Sequence, residues 1–130
     1  MGPKLPITVL AVEHHSALSD GLVALLSTQP DLEIVAIASG PAEARKQFIE
    51  RKPDVTLVDV ATPNQVGLKT IRELRSIQSN ATIFALVGYE WDALAQESIA
   101  AGANLFVPKD DIARQLVGLI RKHRRAITES

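Results

Sequence analysis

A chain of 130 residues has room for one domain built on one core. Its 46% apolar and 22% charged residues are those of an ordinary globular chain rather than a disordered one, and a net charge of −1 gives no general pull toward nucleic acid or anionic membrane. The lack of cysteine excludes disulfides, thiol catalysis and cysteine-ligated zinc, and no apolar run approaches membrane-spanning length.

Residues 1–6, MGPKLP, carry no signal-like apolar stretch and read as an N-terminal tail. Ile7 to Glu13 (ITVLAVE) is a short apolar strand ending in an acid, with His14 and His15 beside Glu13 at its exit. Ser16 can cap the helix that follows, where Leu18, Leu22, Leu25 and Leu26 share a face and Gly21 suggests close packing against a neighbour. Gln29 and Pro30 stop this helix, and Leu32 to Ala38 (LEIVAIA) forms the second strand. Gly40 and Pro41 are cap and first-turn proline of a second helix, with Ala44, Phe48 and Ile49 inward and Pro53 closing it.

The stretch Pro53 to Gly67, PDVTLVDVATPNQVG, organises the rest. Val55, Leu57, Val58 and Val60 make a strand buried on both faces, as strands of parallel sheets are, and Asp59 interrupts them. An ionised carboxylate is costly to bury alone, so Asp59 belongs where the strand runs out at the mouth of the sheet. Beyond the Thr62 to Gly67 turn, Leu68, Ile71, Leu74 and Ile77 mark a third helix, and Thr82 to Val87 (TIFALV) is the fourth strand. Gly88 and Tyr89 lead into a helix from about Trp91 to Ala101, its buried side small (Ala95, Ile99 and Ala100 or Ala101) and its end marked by Gly102. Asn104 to Val107 is the fifth strand; Pro108 and Lys109 follow, and Asp110 or Asp111 caps a last helix with Ile112, Leu116, Leu119 and Ile120 inside. Its outer Arg114, Arg121, Lys122, Arg124 and Arg125 either keep a helix end wet or form a docking face leading to a further domain.

Five strands alternating with five helices imply right-handed crossovers and an α/β fold, a parallel sheet covered on both faces. Function then lies at the strand exits, where Glu13, His14, Asp59, Val87 and Lys109 gather. Two carboxylates and a lysine suit a divalent metal and a phosphoryl group: magnesium takes a few carboxylates, and lysine neutralises a phosphoryl oxygen. Asp59 could then accept phosphate as an acyl phosphate; the opposing reading is a satisfied buried carboxylate paired with Lys109. A transition-metal site from Glu13, His14, His15 and Asp59 is disfavoured, because neighbours on a strand point to opposite sides. His14 is expected to fill the pocket beside Asp59 instead, with His15 starting the helix. No glycine-rich phosphate loop and no helix-turn-helix can be placed.

With Glu13 at the first exit, VTLVDV followed by Pro63, and GANLFVPKD before the last helix, the chain resembles the receiver domains of two-component response regulators. VEHHSALSDGLVALLSTQPDLEIVAIASG is most similar to receivers attached to LuxR or NarL-type DNA-binding domains. The resemblance implies a flavodoxin-like (CheY-like) doubly wound sheet of order 2-1-3-4-5 over residues 7–126, with 127–130 a C-terminal tail or the start of a linker. It implies Asp59 as phosphoacceptor, Glu13 and His14 at the paired acidic positions that hold Mg2+ with Asp59, and Lys109 as phosphate contact. Val87 and Phe106 fall at the switch positions, and Tyr89 and Trp91 on the surface used to meet partners.

Two positions depart from the family pattern: His14 stands for an acid, and Val87 for a hydroxyl. Imidazole is a poor partner for a hard cation, and valine cannot hydrogen-bond a phosphoryl oxygen. The expectation is an atypical, non-enzymatic cytoplasmic receiver with no catalytic residue, holding Mg2+ weakly at most and signalling through protein contacts. Its expected partners are a histidine kinase or other signalling protein and a second copy of itself. DNA would be met only through an output domain outside this chain, and no membrane is involved. The first alternative is an active receiver phosphorylated on Asp59 with Mg2+; the second is a small-molecule-binding flavodoxin-like domain.

Overall fold

The computed structural model describes residues 5–89 and 92–129, with side chains described for all of these except Ser16 and 124–129. Strands β1 (Ile7–Val12), β2 (Leu32–Ala38), β3 (Val55–Asp59), β4 (Ile83–Val87) and β5 (Leu105–Pro108) form one parallel sheet in the order β2-β1-β3-β4-β5. Helices α1 (Ser16–Ser27), α2 (Pro41–Arg51), α3 (Val66–Ile77), α4 (Ala93–Ala101) and α5 (Ile112–Glu129) follow the strands in turn. This is the expected doubly wound arrangement, and its central strand, β3, brings Asp59 to the carboxyl rim.

The sheet separates two cores. Leu10, Val58, Phe48, Leu68, Ile71 and Leu74 belong to the one under α2, α3 and α4, and Val9, Leu57, Phe84, Leu22, Leu26 and Leu116 to the one under α1 and α5. Successive β3 residues alternate between them, which is why the strand is buried along its whole length rather than at every second residue. At the amino rim, the Arg75 guanidinium donates to the carbonyls of Gly102, Ser79 and Ala81 and to Asn104 Oδ1, tying α3 to the loops around β4 and β5.

Several helix expectations need correction. Ile49, Ile77 and Ile99 are 47%, 40% and 39% exposed; α4 buries Ala95 and Ala101 as expected, with Ser98 in place of Ile99. For Ile77 the reason is angular: a repeat of three walks back by about 60° per step around an α-helix, so a run begun at Leu68 has left the buried face by Ile77. Gly21 is exposed and an added Cβ would meet nothing within 4 Å, so it marks no close approach. The N-cap of α1 is His15, with Ser16 already helical, and neither Asp110 nor Asp111 caps α5. A 3₁₀ turn (Lys109–Asp111) feeds into α5 directly, and the Asp111 carboxylate pairs with Arg114. Gly40 and Pro41 do serve as N-cap and first residue of α2, and Gly102 (φ 125°) ends α4 in the left-handed region where glycine is favoured.

Candidate functional site

At the carboxyl rim, Asp59 is the last residue of β3, opposite Leu86 of β4, and is 1% exposed. Its Oδ1 accepts the Ala61 N–H at 2.9 Å and its Oδ2 the Lys109 ammonium at 3.0 Å. The Asp59 side chain has no exposed surface, while that of Lys109 retains 27%, so the ammonium reaches in from the rim and closes over the acid. A buried carboxylate is tolerated on these terms: one opposite charge, and a hydrogen bond on the other oxygen.

Glu13 follows β1 and is held to β2 by its N–H, which donates to the Ala38 carbonyl at 2.9 Å. Its side chain turns inward, 4% exposed, and Oε2 accepts the His15 N–H at 2.5 Å. Oε1 is buried with no hydrogen-bond partner. His14 lines the cavity beside Glu13 and Asp59 from the exposed rim, with its ring 4.2 Å from that of His15, but it makes no bond to Asp59, whose oxygens are taken by Ala61 and Lys109. Strand alternation stops at Val12, and beyond the Glu13 bond to the His15 amide the two rings lie side by side at the exposed rim, tilted by 36°. Among the described residues no cluster of three or more His, Asp or Glu is placed to hold a metal ion.

The Thr62 to Gly67 turn after β3 completes the site, with internal contacts that the sequence reading does not specify. Thr62 Oγ1 accepts the Gly67 N–H at 2.9 Å, and Asn64 and Gln65 both adopt positive φ of 58°. A Cβ on Gly67 would stand 2.3 Å from the Asp59 carbonyl oxygen and 2.7 Å from Val60 Cα, so only glycine lets α3 start against the end of β3. The available signal was a hydroxyl five residues ahead of a glycine in a turn that opens a helix. A cavity of about 400 Å³ lies between these residues, Glu13, Asp59 and the start of α2.

On the other side of Asp59, Val87 is fully buried and pairs with Pro108 across β5. No cis peptide bond occurs among the described residues, so Pro108 leads to Lys109 through a trans backbone. Phe106 is half-buried against the core under α2, α3 and α4. Tyr89 is 58% exposed, and Trp91 lies outside the described residues. Glu13, Asp59 and Lys109 thus meet at one rim, with an apolar residue at the hydroxyl position.

Residues 9–121 match the family model for the response regulator receiver domain. The chain belongs to that family. The receiver is 31% identical over 115 residues to the DNA-binding transcriptional activator DevR/DosR of Mycobacterium tuberculosis, covering 88% of this chain and 53% of that one. It is 30% identical over 115 residues to the transcriptional regulatory protein LiaR of Bacillus subtilis, covering 88% and 54%. A solved two-component response regulator of the LuxR family from Aurantimonas sp. superposes with a TM-score of 0.81 at 26% identity, covering 90% of this receiver and 84% of that chain. The receiver spans about half the length of the curated relatives it matches. No helix among the described residues is long and apolar enough to cross a membrane.

Proposed function

We propose that this receiver signals through protein contacts with its phosphate chemistry idle, as an atypical receiver joined in a longer cytoplasmic protein to a DNA-binding output domain. The carrying observation is the closed state of Asp59: both oxygens are bonded and the side chain has no exposed surface. Phosphoryl transfer requires a carboxylate lone pair in line with phosphorus. Each Asp59 oxygen keeps a lone pair beyond its one hydrogen bond, but the side chain has no exposed surface through which phosphorus could approach it. Val87 adds no donor for the product and Tyr89 is turned to solvent, so Phe106 would have no hydroxyl movement to follow. A modification with no differential contacts in two states cannot bias them.

For magnesium the donor set fits in part. Glu13, through its unpartnered Oε1, and Asp59 would hold the ion, and a bound ion would offset the charge of an incoming phosphoryl group. With Asp59 already neutralised by Lys109 and an exposed imidazole at position 14, the ion would be weakly held. The partners proposed are a histidine kinase or other signalling protein and a second copy of the chain; DNA is met through the output domain, no membrane is involved, and the domain itself is no enzyme. The relatives' names as transcriptional regulators support the output reading.

Acetyl phosphate or beryllofluoride at millimolar magnesium, read by intact mass and by thermal shift, is expected to leave the receiver unmodified. An adduct that needs both magnesium and Asp59, and is lost in Asp59→Asn, would establish the active receiver instead.

A further inference from the structure

Ile49 of α2 and Ile77 of α3 are exposed, yet they are not scattered: both line one cavity of about 500 Å³ at the amino rim of the sheet, with the buried Phe48 and Ala81 beside them. Ile49 also lines a second cavity of about 500 Å³, together with Ala42, Arg45 and Glu73. One groove therefore follows α2 and α3 from Pro41 to the amino rim, and Glu13, Asp59 and Lys109 take no part in it. Neighbouring exposed apolar side chains rimmed by polar ones mark a surface made for a protein partner.

The charges on this groove are sorted. Helical spacing puts Ala42, Arg45, Lys46, Ile49 and, just past the helix, Lys52 on one flank of α2, and Glu43 and Glu50 on the other, where Gln47 bonds both Glu43 and Arg51. The two acids that line the groove are already engaged. Glu73 pairs with Arg45 at 3.6 Å, and Asp54 accepts the Thr8 N–H at 2.9 Å and the Thr8 hydroxyl at 3.2 Å. Gln78 and Asn80, at the rim, hydrogen-bond each other at 3.1 Å. Lys46 and Lys52 have no ion-pair partner among the described residues, so two free ammonium groups flank the exposed isoleucines in a chain whose net charge is −1. The 11 residues of α2 make the groove about 16 Å long, or three helical turns. A helix laid between two others buries an apolar stripe against both and turns its flanks toward their outer charges.

We infer that the groove between α2 and α3 docks an acidic amphipathic helix of a partner protein, with Ile49 and Ile77 as apolar anchors and Lys46 and Lys52 as charge partners. This docking deepens the reading that the receiver signals through protein contacts, on which it rests, and it is independent of whether Asp59 is phosphorylated.

The probe is a fluorescein-labelled peptide of about four helical turns, with leucine along one face and glutamate and alanine elsewhere, titrated with the receiver at pH 7 and followed by anisotropy and amide chemical shifts. Saturable binding is expected, weakened by added salt, with shifts confined to residues 41–54 and 73–82. A peptide with lysine in place of glutamate should bind at least tenfold more weakly. Ile49→Ser with Ile77→Ser, and separately Lys46→Gln with Lys52→Asn, should each weaken the acidic peptide at least tenfold. All four side chains are exposed and asparagine tolerates the φ of 47° at position 52, so both double variants keep the fold. Glu50→Gln, on the opposite flank, should leave binding unchanged. No saturation by millimolar receiver, equal binding of the two peptides, or indifference to both double variants would overturn the docking site. So would a concentration-dependent dimer broken by the serine pair, which gives the groove to a second copy, or displacement of the peptide by duplex DNA, which gives it to nucleic acid. The adduct assay on the same samples keeps the failures apart: peptide binding beside a magnesium-dependent adduct retains the groove and ends the idle-chemistry reading, and the absence of both removes the groove and retains that reading.

Discussion

Replacing Lys109 with methionine keeps the length and apolar stem of the side chain and removes its charge from Asp59. The loss follows from the geometry: Oδ2 forfeits its partner at 3.0 Å, Oδ1 keeps the Ala61 amide at 2.9 Å, and the carboxylate has no exposed surface through which water can compensate. Breaking a buried pair from one side typically costs ~3–5 kcal/mol. The retained backbone bond argues for the lower end, about 3 kcal/mol. Asp59→Asn should cost only about 1 kcal/mol, because Lys109, already 27% exposed, can turn its ammonium to water. The double variant should resemble Asp59→Asn, giving a coupling of about 3 kcal/mol. Urea unfolding at pH 7 followed by far-ultraviolet circular dichroism measures this, with the Lys109→Met midpoint falling by roughly 1.5–2 M at an ordinary slope. If Lys109→Met unfolds within about 0.5 kcal/mol of the parent, Asp59 does not depend on the pair, and the closed site loses its support.

Gly67→Ala should destabilise by ~1–3 kcal/mol, since the new methyl overlaps the backbone of Asp59 and Val60; an unchanged urea midpoint would contradict the close approach of α3 to β3. Gly21→Ala should stabilise by up to ~1 kcal/mol, because an exposed helix interior gains a better helix former and nothing stands within 4 Å of its Cβ. Combining His14→Asp with Val87→Thr should create magnesium-dependent beryllofluoride binding, read as a rise in melting temperature absent from the parent; no response would mean that these two residues are not what idles the site. Arg121 hydrogen-bonds Asp31 at 2.8 Å and holds that carboxyl below its ordinary value of 3.8. A carboxyl lowered by folding stabilises above the unfolded value, and the contribution disappears as pH falls through the folded one. Arg121→Ala should therefore move the Asp31 carboxyl titration, followed by carbon NMR, up toward 3.8 and flatten the acid limb of the stability profile; an unmoved titration would deny the pair in solution.

Most of the elements were legible in the residues themselves. β2 was read at its observed bounds, the β1 and β3 cores from their apolar runs, and the start of α2 from Gly40 and Pro41, because strand burial, capping and fixed proline φ are local properties. That Asp59 must stand at a strand end also followed locally, from the cost of burying a charge. The order of the strands came through resemblance rather than through periodicity. What only the tertiary structure decided concerns partners: which isoleucine of a helix meets the sheet, that Gly67 touches the Asp59 carbonyl, that His14 stays at the exposed rim without bonding Asp59, and that Glu13 Oε1 is left alone. Lys109 and Asp59 lie 50 residues apart, and their 3.0 Å contact exists because parallel crossovers bring the ends of β3 and β5 to one rim. Propensity acts over a turn or two of chain, whereas the pairing of one buried oxygen depends on every segment packed around it.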